Sequence, residues 1–283
     1  MSFHSEPNIY VREVHLLVQD LEAANHFYQQ MIGLKIIQRK GNIIQYSANG
    51  TTPLLTLEQR EGLAPHNSRQ SGLYHMAFLL PTREHLALLL RHLLREQYPL
   101  QGGADHAVSE AIYLADPEGN GIEFYHDRPA DTWQWTNGEV NMLTVELDPD
   151  LINLCPEKEW EGIPSQTILG HLHLQIADLK AAEHFYGDGL GFQRVAAYGN
   201  EAYFLSTGGY HHHLGLNTWM SRNRPAEQVL ASAGMLNFTI VYPDEEKRTA
   251  ALLRLKKSGL ISDDTDRAIE LKDPSGLQLR LVC

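Results

Sequence analysis

Cysteine is scarce, with Cys155 and Cys283 the only two in 283 residues. They form neither a Cys-x-x-Cys motif nor a disulfide framework, so a fold without covalent staples in the reducing cytoplasm is expected. Cys283 also lacks the pattern of a prenylation box. No run of about 18 apolar residues occurs, so no membrane-spanning helix is expected. The polar stretch from Met1 to Val11 has no apolar core of the kind a secretory signal needs. Basic residues are in deficit: 23 Lys and Arg against 35 Asp and Glu leave a formal charge of −12. Nucleic acid and anionic membranes select for basic patches, so neither is expected as a partner.

What remains is ordinary for a globular protein, with 43% hydrophobic and 20% charged residues, and the length suits two domains. Histidine is the exception, at 15 residues. Imidazole is the commonest metal ligand and the side chain that exchanges protons near neutral pH, so the positions of the histidines carry the functional question.

The chain repeats itself. Val14 to Leu34 (VHLLVQDLEAANHFYQQMIGL) and Leu172 to Phe192 (LHLQIADLKAAEHFYGDGLGF) superimpose at an offset of 158. His15 maps to His173, Asp20 to Asp178, Tyr28 to Tyr186 and Gly33 to Gly191. That many identities in one register indicate an internal duplication. Each copy reads as a strand, an Asp at a helix N-cap, an amphipathic helix (Leu21, Ala24, Phe27, Tyr28, Met31), and a glycine stop. Extended segments follow at Ile36 to Arg39, Ile43 to Tyr46 and Leu54 to Leu57. A second pair begins at Gly72 and Gly234, each strand, Pro, long amphipathic helix and turn. Both end in strand–turn–strand segments around an Asp-Pro-x-Gly turn, Ala111 to Tyr125 and Ala268 to Val282. The expected fold is therefore α+β, with four βαβββ modules at about 10–60, 72–127, 168–220 and 233–283. Residues 1–127 and 168–283 form two module pairs. The proline-bearing stretch 128–167, without clear periodicity, reads as a linker.

The strand ending in Asp-Leu, the Phe-Tyr helix with its Gly-Leu-Gly-Phe end, and the late Asp-Pro-x-Gly-x-x-x-Glu strand resemble the vicinal oxygen chelate superfamily. It includes glyoxalase I, antibiotic-resistance proteins and type I extradiol dioxygenases. The resemblance covers nearly the whole chain outside 128–167 and implies two domains whose curved sheets enclose a metal cleft.

Duplication supplies an internal control, because a site can be sought where the copies differ. Module two has His75 in its first strand and Glu123 in its last; module four has Asn237 and Arg280 there. Arg cannot ligate a cation, and Asn is a poor transition-metal ligand. Module three opens with His171 where module one has Glu13. His75, Glu123 and His171 thus make two imidazoles and one carboxylate, the facial set of non-haem Fe(II) oxygenases, which leaves positions open for substrate and O₂. His173 lies on the same strand face as His171 and has a counterpart, His15, in the other copy, which favours His171 as the ligand. His173, His15 and Glu13 remain alternatives. A set drawn from modules two and three requires those modules to pack side by side. His211, His212 and His213 would open the late strand of module three, where adjacent side chains alternate and at most two reach one site.

Two further stretches are similar to the type I extradiol, catechol 2,3-type, dioxygenases: His106 to Tyr113 followed by Asp116 to Glu123, and Tyr210-His-His-His-Leu-Gly-Leu. The resemblance implies that His106 and Tyr113 stand near the substrate oxygens and that His212, or His213 if the register slips, is the acid–base. The spacing from His106 to Tyr113 is shorter than the family's. It further implies Fe(II), with Mn(II) as the alternative, and a catechol-type diol and O₂ as partners. Trp133, Trp135 and Trp219 are candidates for an aromatic pocket or for core packing. Competing functions are a glyoxalase-like isomerase or lyase, which would need a second carboxylate ligand, another metal-dependent hydrolase or transferase, and a non-enzymatic small-molecule-binding protein. Assembly into a homo-oligomer is left open.

Overall fold

A computed structural model of the chain describes residues 2–224, 232–262 and 270–283. Ala268 and Ile269, where the last sequence motif begins, lie outside these residues. Module one consists of β1 (Tyr10–Val18), α1 (Leu21–Asn25), β2 (Lys35–Lys40), β3 (Ile43–Ser47) and β4 (Leu55–Gln59). Module two follows as β5 (Gly72–Leu79), α2 (Arg83–Arg95), β6 (Leu100–Asp105), β7 (Ser109–Ala115) and β8 (Gly121–Asp127). Three short strands, β9 (Trp135–Thr136), β10 (Glu139–Val140) and β11 (Val145–Glu146), precede module three. Module three is β12 (Ile168–Gln175), α3 (Leu179–Glu183), β13 (Gln193–Tyr198), β14 (Ala202–Ser206) and β15 (Leu214–Asn217). Module four is β16 (Gly234–Val241), α4 (Glu245–Lys257), β17 (Glu270–Lys272) and β18 (Gln278–Val282).

The helix starts follow from their caps. Asp20 and Asp178 accept backbone N–H groups of the first turn, from Glu22 and Ala23 and from Ala181. Neither short helix stays α-helical to its end: His26–Met31 and His184–Gly189 widen into π-turns, closed by Ile32 N–H to Phe27 and Leu190 N–H to Phe185. Such bulges are missed by a search for a 3.6-residue period. Both wide turns hold a buried tyrosine whose hydroxyl donates to the Asp of an Asp-Pro turn in the next module. The pairs are Tyr28 to Asp116, at 2.8 Å, and Tyr186 to Asp273, at 2.9 Å. Gly33 ends the first helix at φ +83°, and a Cβ there would lie 2.3 Å from Gly162 Cα, so the position admits only glycine.

Strand pairing regroups the modules. One sheet runs β17-β18-β16-β1-β4-β3-β2, joining modules one and four. The other runs β11-β6-β7-β8-β5-β12-β15-β14-β13, joining modules two and three. Each junction is an antiparallel pair, β1 with β16 and β5 with β12. Modules two and three therefore do pack side by side, as a ligand set drawn from both requires. The sheets are built across the halves 1–127 and 168–283, not within them. In β5, Met76 and Phe78 turn to a core shared with α2 (Leu86, Leu89, Leu93), while His75 and Ala77 take the opposite face. The stretch read as a linker is partly ordered into the sheets, since β11 pairs with β6. Two-residue strands carry no readable period, which is why composition alone suggested a passive connection.

Because both sheets need strands from both halves, residues 1–127 and 168–283 expressed as separate chains are each expected to remain unfolded. Far-UV circular dichroism of each, alone and co-refolded, tests this; an independently folded half would contradict the pairing.

Candidate metal centre

Three strands meet at one spot on the concave face. His171 in β12 and Glu123 in β8 both stand level with Ala77 of the central strand β5, on either side of it. His75 projects two residues earlier on the same face of β5. The small Ala77 methyl at the base of this triangle leaves the longer side chains free to converge. Glu123 Oε2 lies 3.0 Å from His75 Nε2 and 3.1 Å from His171 Nε2. One ligand atom from each residue falls within 4.8 Å of the other two. All three are buried. No other group of three metal-ligating side chains gathers like this among the described residues, and no second carboxylate joins it.

Such a donor set suits a divalent first-row transition metal: imidazole and carboxylate together, with too few oxygens for calcium or magnesium. The protonation states agree. Burial, outweighing the pull of Glu123, drives His171 down to about 4, so its Nε2 lone pair is available at neutral pH. Burial alone would push the Glu123 carboxyl up, but the two histidines hold it well below the usual carboxylate range, as an anion. The residues present therefore fit a two-histidine, one-carboxylate metal site.

The centre forms one wall of a cavity of about 910 Å³, within the usual range for small-molecule sites. His106, Tyr113, His173, His212, Phe204 and Trp219 complete its walls, and residues 136–144 of the supposed linker roof it. His106 Nδ1 donates to the Leu143 carbonyl at 2.8 Å; its Nε2 therefore accepts from the Tyr113 hydroxyl at 2.7 Å. Burial, reinforced by Glu123, holds the Tyr113 phenol well above its ordinary pKa, so it remains protonated. His173 reaches the cavity with its Nε2 lacking any hydrogen-bond partner, and burial keeps it neutral. The His212 ring lies 4.1 Å from that of His171, and burial likewise keeps it neutral.

The other candidates lie elsewhere. His213 faces away from the cavity, fully buried, with its Nε2 donating to Phe3 O at 3.1 Å. His15 and Glu13 lie in the other sheet, His15 3.2 Å from Glu58, and Glu13 accepting from Gln45 and Thr56. Of the tryptophans only Trp219 lines the cavity; Trp133 packs on Phe3 and His211, and Trp135 is exposed. The three consecutive histidines are not in a strand as expected. They precede β15, in a segment entered through Gly208 and Gly209 at φ +65° and +75°. Strand alternation does not apply there, and His211 bonds His212 directly. Two features escaped the sequence reading. Asp127, which bonds His211, shares a strand face with Glu123 at a spacing of four, a signal that was available. The N-terminal arm, with His4 Nε2 donating to Gly170 O at 2.7 Å, carried none.

A family model of the Glyoxalase/Bleomycin resistance protein/Dioxygenase superfamily matches residues 11–124 and 168–281. The chain is 40% identical to catechol-2,3-dioxygenase of Bacillus subtilis over 272 residues, 94% of this chain and 95% of that protein. It is 28% identical to metallothiol transferase FosB of Lysinibacillus sphaericus over 39% of this chain and 79% of the relative. Among solved structures, glyoxalase I from Zea mays superimposes with a TM-score of 0.57 at 14% identity, over 96% of this chain and 92% of that one, a likeness of fold.

Two outcomes follow from this geometry. Gly121 of β8 lies beside β5, where a Cβ would sit 2.1 Å from the Tyr74 carbonyl oxygen. Gly121→Ala should wedge the Glu123 strand from the His75 strand. Roughly 1–3 kcal/mol of stability should be lost, with weaker metal binding, read from urea midpoints and metal titration. Burial also depresses His4 to about 4, as it does His171, from an ordinary 6.5. Between these values the unfolded chain binds protons that the folded chain does not, so the metal-free protein should lose stability as pH falls from about 6.5 towards 4. At about 1.4 kcal/mol per pH unit each histidine contributes up to ~3 kcal/mol. Urea midpoints that stay flat across that window would contradict the buried neutral state.

Proposed function

The chain belongs to the glyoxalase/bleomycin resistance protein/dioxygenase superfamily, and from that membership and its site we infer that it is an extradiol dioxygenase that opens catechol-type rings with both atoms of O₂. The observation that carries the reading is the convergence of His75, Glu123 and His171 on the wall of a cavity sized for a small ring. We assign these three as the ligands of Fe(II), with Mn(II) as the alternative. Bound there, the metal would chelate both diol oxygens, lower their pKa values and hold O₂ beside the ring.

The surrounding residues position the ring and handle its protons. His212, neutral and beside His171, would take a proton from a substrate hydroxyl and later return it. Tyr113, its hydroxyl braced by His106, would hydrogen-bond a diol oxygen. The Phe204 and Trp219 rings would line the apolar side of the substrate, and residues 136–144 would exclude bulk water. The isomerase reading lacks its second carboxylate, and a passive binding protein has no use for a buried donor triad.

No helix among the described residues is long and apolar enough to cross a membrane. Free Cys155 and Cys283 are consistent with our assignment of the protein to the reducing cytoplasm. We retain 1–127, 128–167 and 168–283 as the boundaries of the duplicated segments and their connection, and leave a homo-oligomer open.

Anaerobic loading with Fe(II), then addition of catechol and air, should yield a coloured ring-fission product. His75→Ala and Glu123→Ala should lose both iron and product. His212→Asn should keep iron but lose 10²–10⁴-fold in kcat, roughly the span of a lost acid–base. Tight iron binding with no substituted catechol cleaved would overturn the reaction while sparing the metal site.

A further inference from the structure

Behind His212 lies a polar chain that the reaction as described does not use. Asp127 ends β8 on the same face as Glu123 and lies 2.8 Å from His211 Nε2. His211 is fully buried, its ring among those of Tyr125, Trp133 and Tyr210. Its other nitrogen, Nδ1, lies 2.8 Å from Nδ1 of His212.

We propose that Asp127 and His211 act as positioning residues that fix the tautomer of His212, so that its Nε2 meets the substrate as a lone pair rather than as an N–H. The proposal rests on the dioxygenase reading for its catalytic consequence, but the tautomer itself does not depend on the reaction.

The assignment follows from which atoms can donate. A carboxylate only accepts, so His211 must carry its hydrogen on Nε2. A neutral imidazole protonated at Nε2 has its lone pair on Nδ1. The hydrogen between the two Nδ1 atoms must then belong to His212. With its hydrogen on Nδ1, His212 keeps the Nε2 lone pair, and among the described residues nothing else bonds that nitrogen. Free imidazole populates both tautomers, and only this one can receive a proton from a diol. A buried carboxylate orienting a catalytic imidazole is a known device in hydrolases, where its isosteric amide leaves the geometry intact and the wrong tautomer behind. The rear of the segment is braced in part independently of this chain. His213 Nε2 donates to Phe3 O at 3.1 Å without involving Asp127, whereas the Tyr210 hydroxyl, 2.7 Å from that of Tyr125, also bonds the Asp127 carboxylate. With Asp127 altered, the His213–Phe3 bond still holds the loop.

The test uses full-length protein labelled with ¹⁵N-histidine, metal-free at neutral pH, and long-range ¹H–¹⁵N spectra. The wild-type protein should show His212 protonated at Nδ1 and bare at Nε2. In Asp127→Leu, of similar size, no acceptor is left for His211 Nε2, so that ring's hydrogen is no longer held there and His212 shifts towards the Nε2–H form. The spectrum should report that shift. The same variant loaded with Fe(II) should lose at least a hundredfold in kcat, with KM for catechol changed less than threefold. Its Tm should stay within a few degrees of wild type. Asp127→Glu, which restores the acceptor, should recover the wild-type tautomer and part of kcat. Three results would overturn the proposal: wild-type His212 protonated at Nε2, an unchanged tautomer balance in Asp127→Leu, or a shifted tautomer with undiminished kcat. If the tautomer responds as expected but wild-type enzyme cleaves no diol, the positioning chain stands and the dioxygenase reading falls.

Discussion

The antiparallel pairing of β5 with β12 is the constraint on which the rest of this molecule depends. It sets His173 opposite His75 and His171 opposite Ala77. The parallel neighbour β8 then brings Glu123 level with Ala77 from the other side. Strand register is quantised: a slip of one residue turns every side chain to the other face. A donor set drawn from three registered strands is therefore held by backbone hydrogen bonds rather than by its own side-chain contacts. That arrangement lets two imidazoles and a carboxylate crowd together in a buried place that would otherwise disfavour them.

The second constraint is polar burial. His171, His211, His212 and His213 are all buried, close to Tyr125 and Tyr210. An interior this polar is stable only if its groups find partners. The molecule supplies them from far along the chain: Asp127 from the end of β8, Phe3 and His4 from the N-terminal arm, Gly170 from β12. Asp127 and the Phe3 and Gly170 carbonyls accept only, which fixes where His211, His213 and His4 carry their hydrogens on that side of the cavity. Two of the buried atoms without a partner, His173 Nε2 and His171 Nδ1, lie at the candidate metal centre and beside it.

Duplication explains the division of labour between the sheets. The sheet of modules one and four repeats the geometry without the donors: Asn237 and Arg280 stand where His75 and Glu123 do, and Glu13 is tied to Gln45 and Thr56. Its contribution is structural. Both sheets share one apolar core, and the buried Tyr28–Asp116 and Tyr186–Asp273 bonds tie each odd-numbered module to the module after it. Sheet pairing runs across the halves and these tyrosine bonds run within them, so the four modules are linked in a closed ring.

Much of this was legible in the amino-acid sequence, because duplication makes a chain its own comparison. Asp20 and Asp178 announced helix starts, Gly33 announced a stop, and the loss of His75, Glu123 and His171 from the equivalent positions marked the site. Local signals of that kind depend on residues close in sequence. The π-turns broke the helical period, and the two-residue strands of the roof had no period at all. Where His213 would point could not be read either, since the strand expected around it begins only at Leu214. The sequence by itself determined the modules, their caps and the donor types, because these are written in spacing and residue chemistry. Only the tertiary structure decided that module two pairs with module three, that the linker roofs the cavity, and that Asp127 stands behind His212. Those facts rest on contacts between residues tens to hundreds of positions apart, and no local pattern encodes which distant strand a given strand will meet.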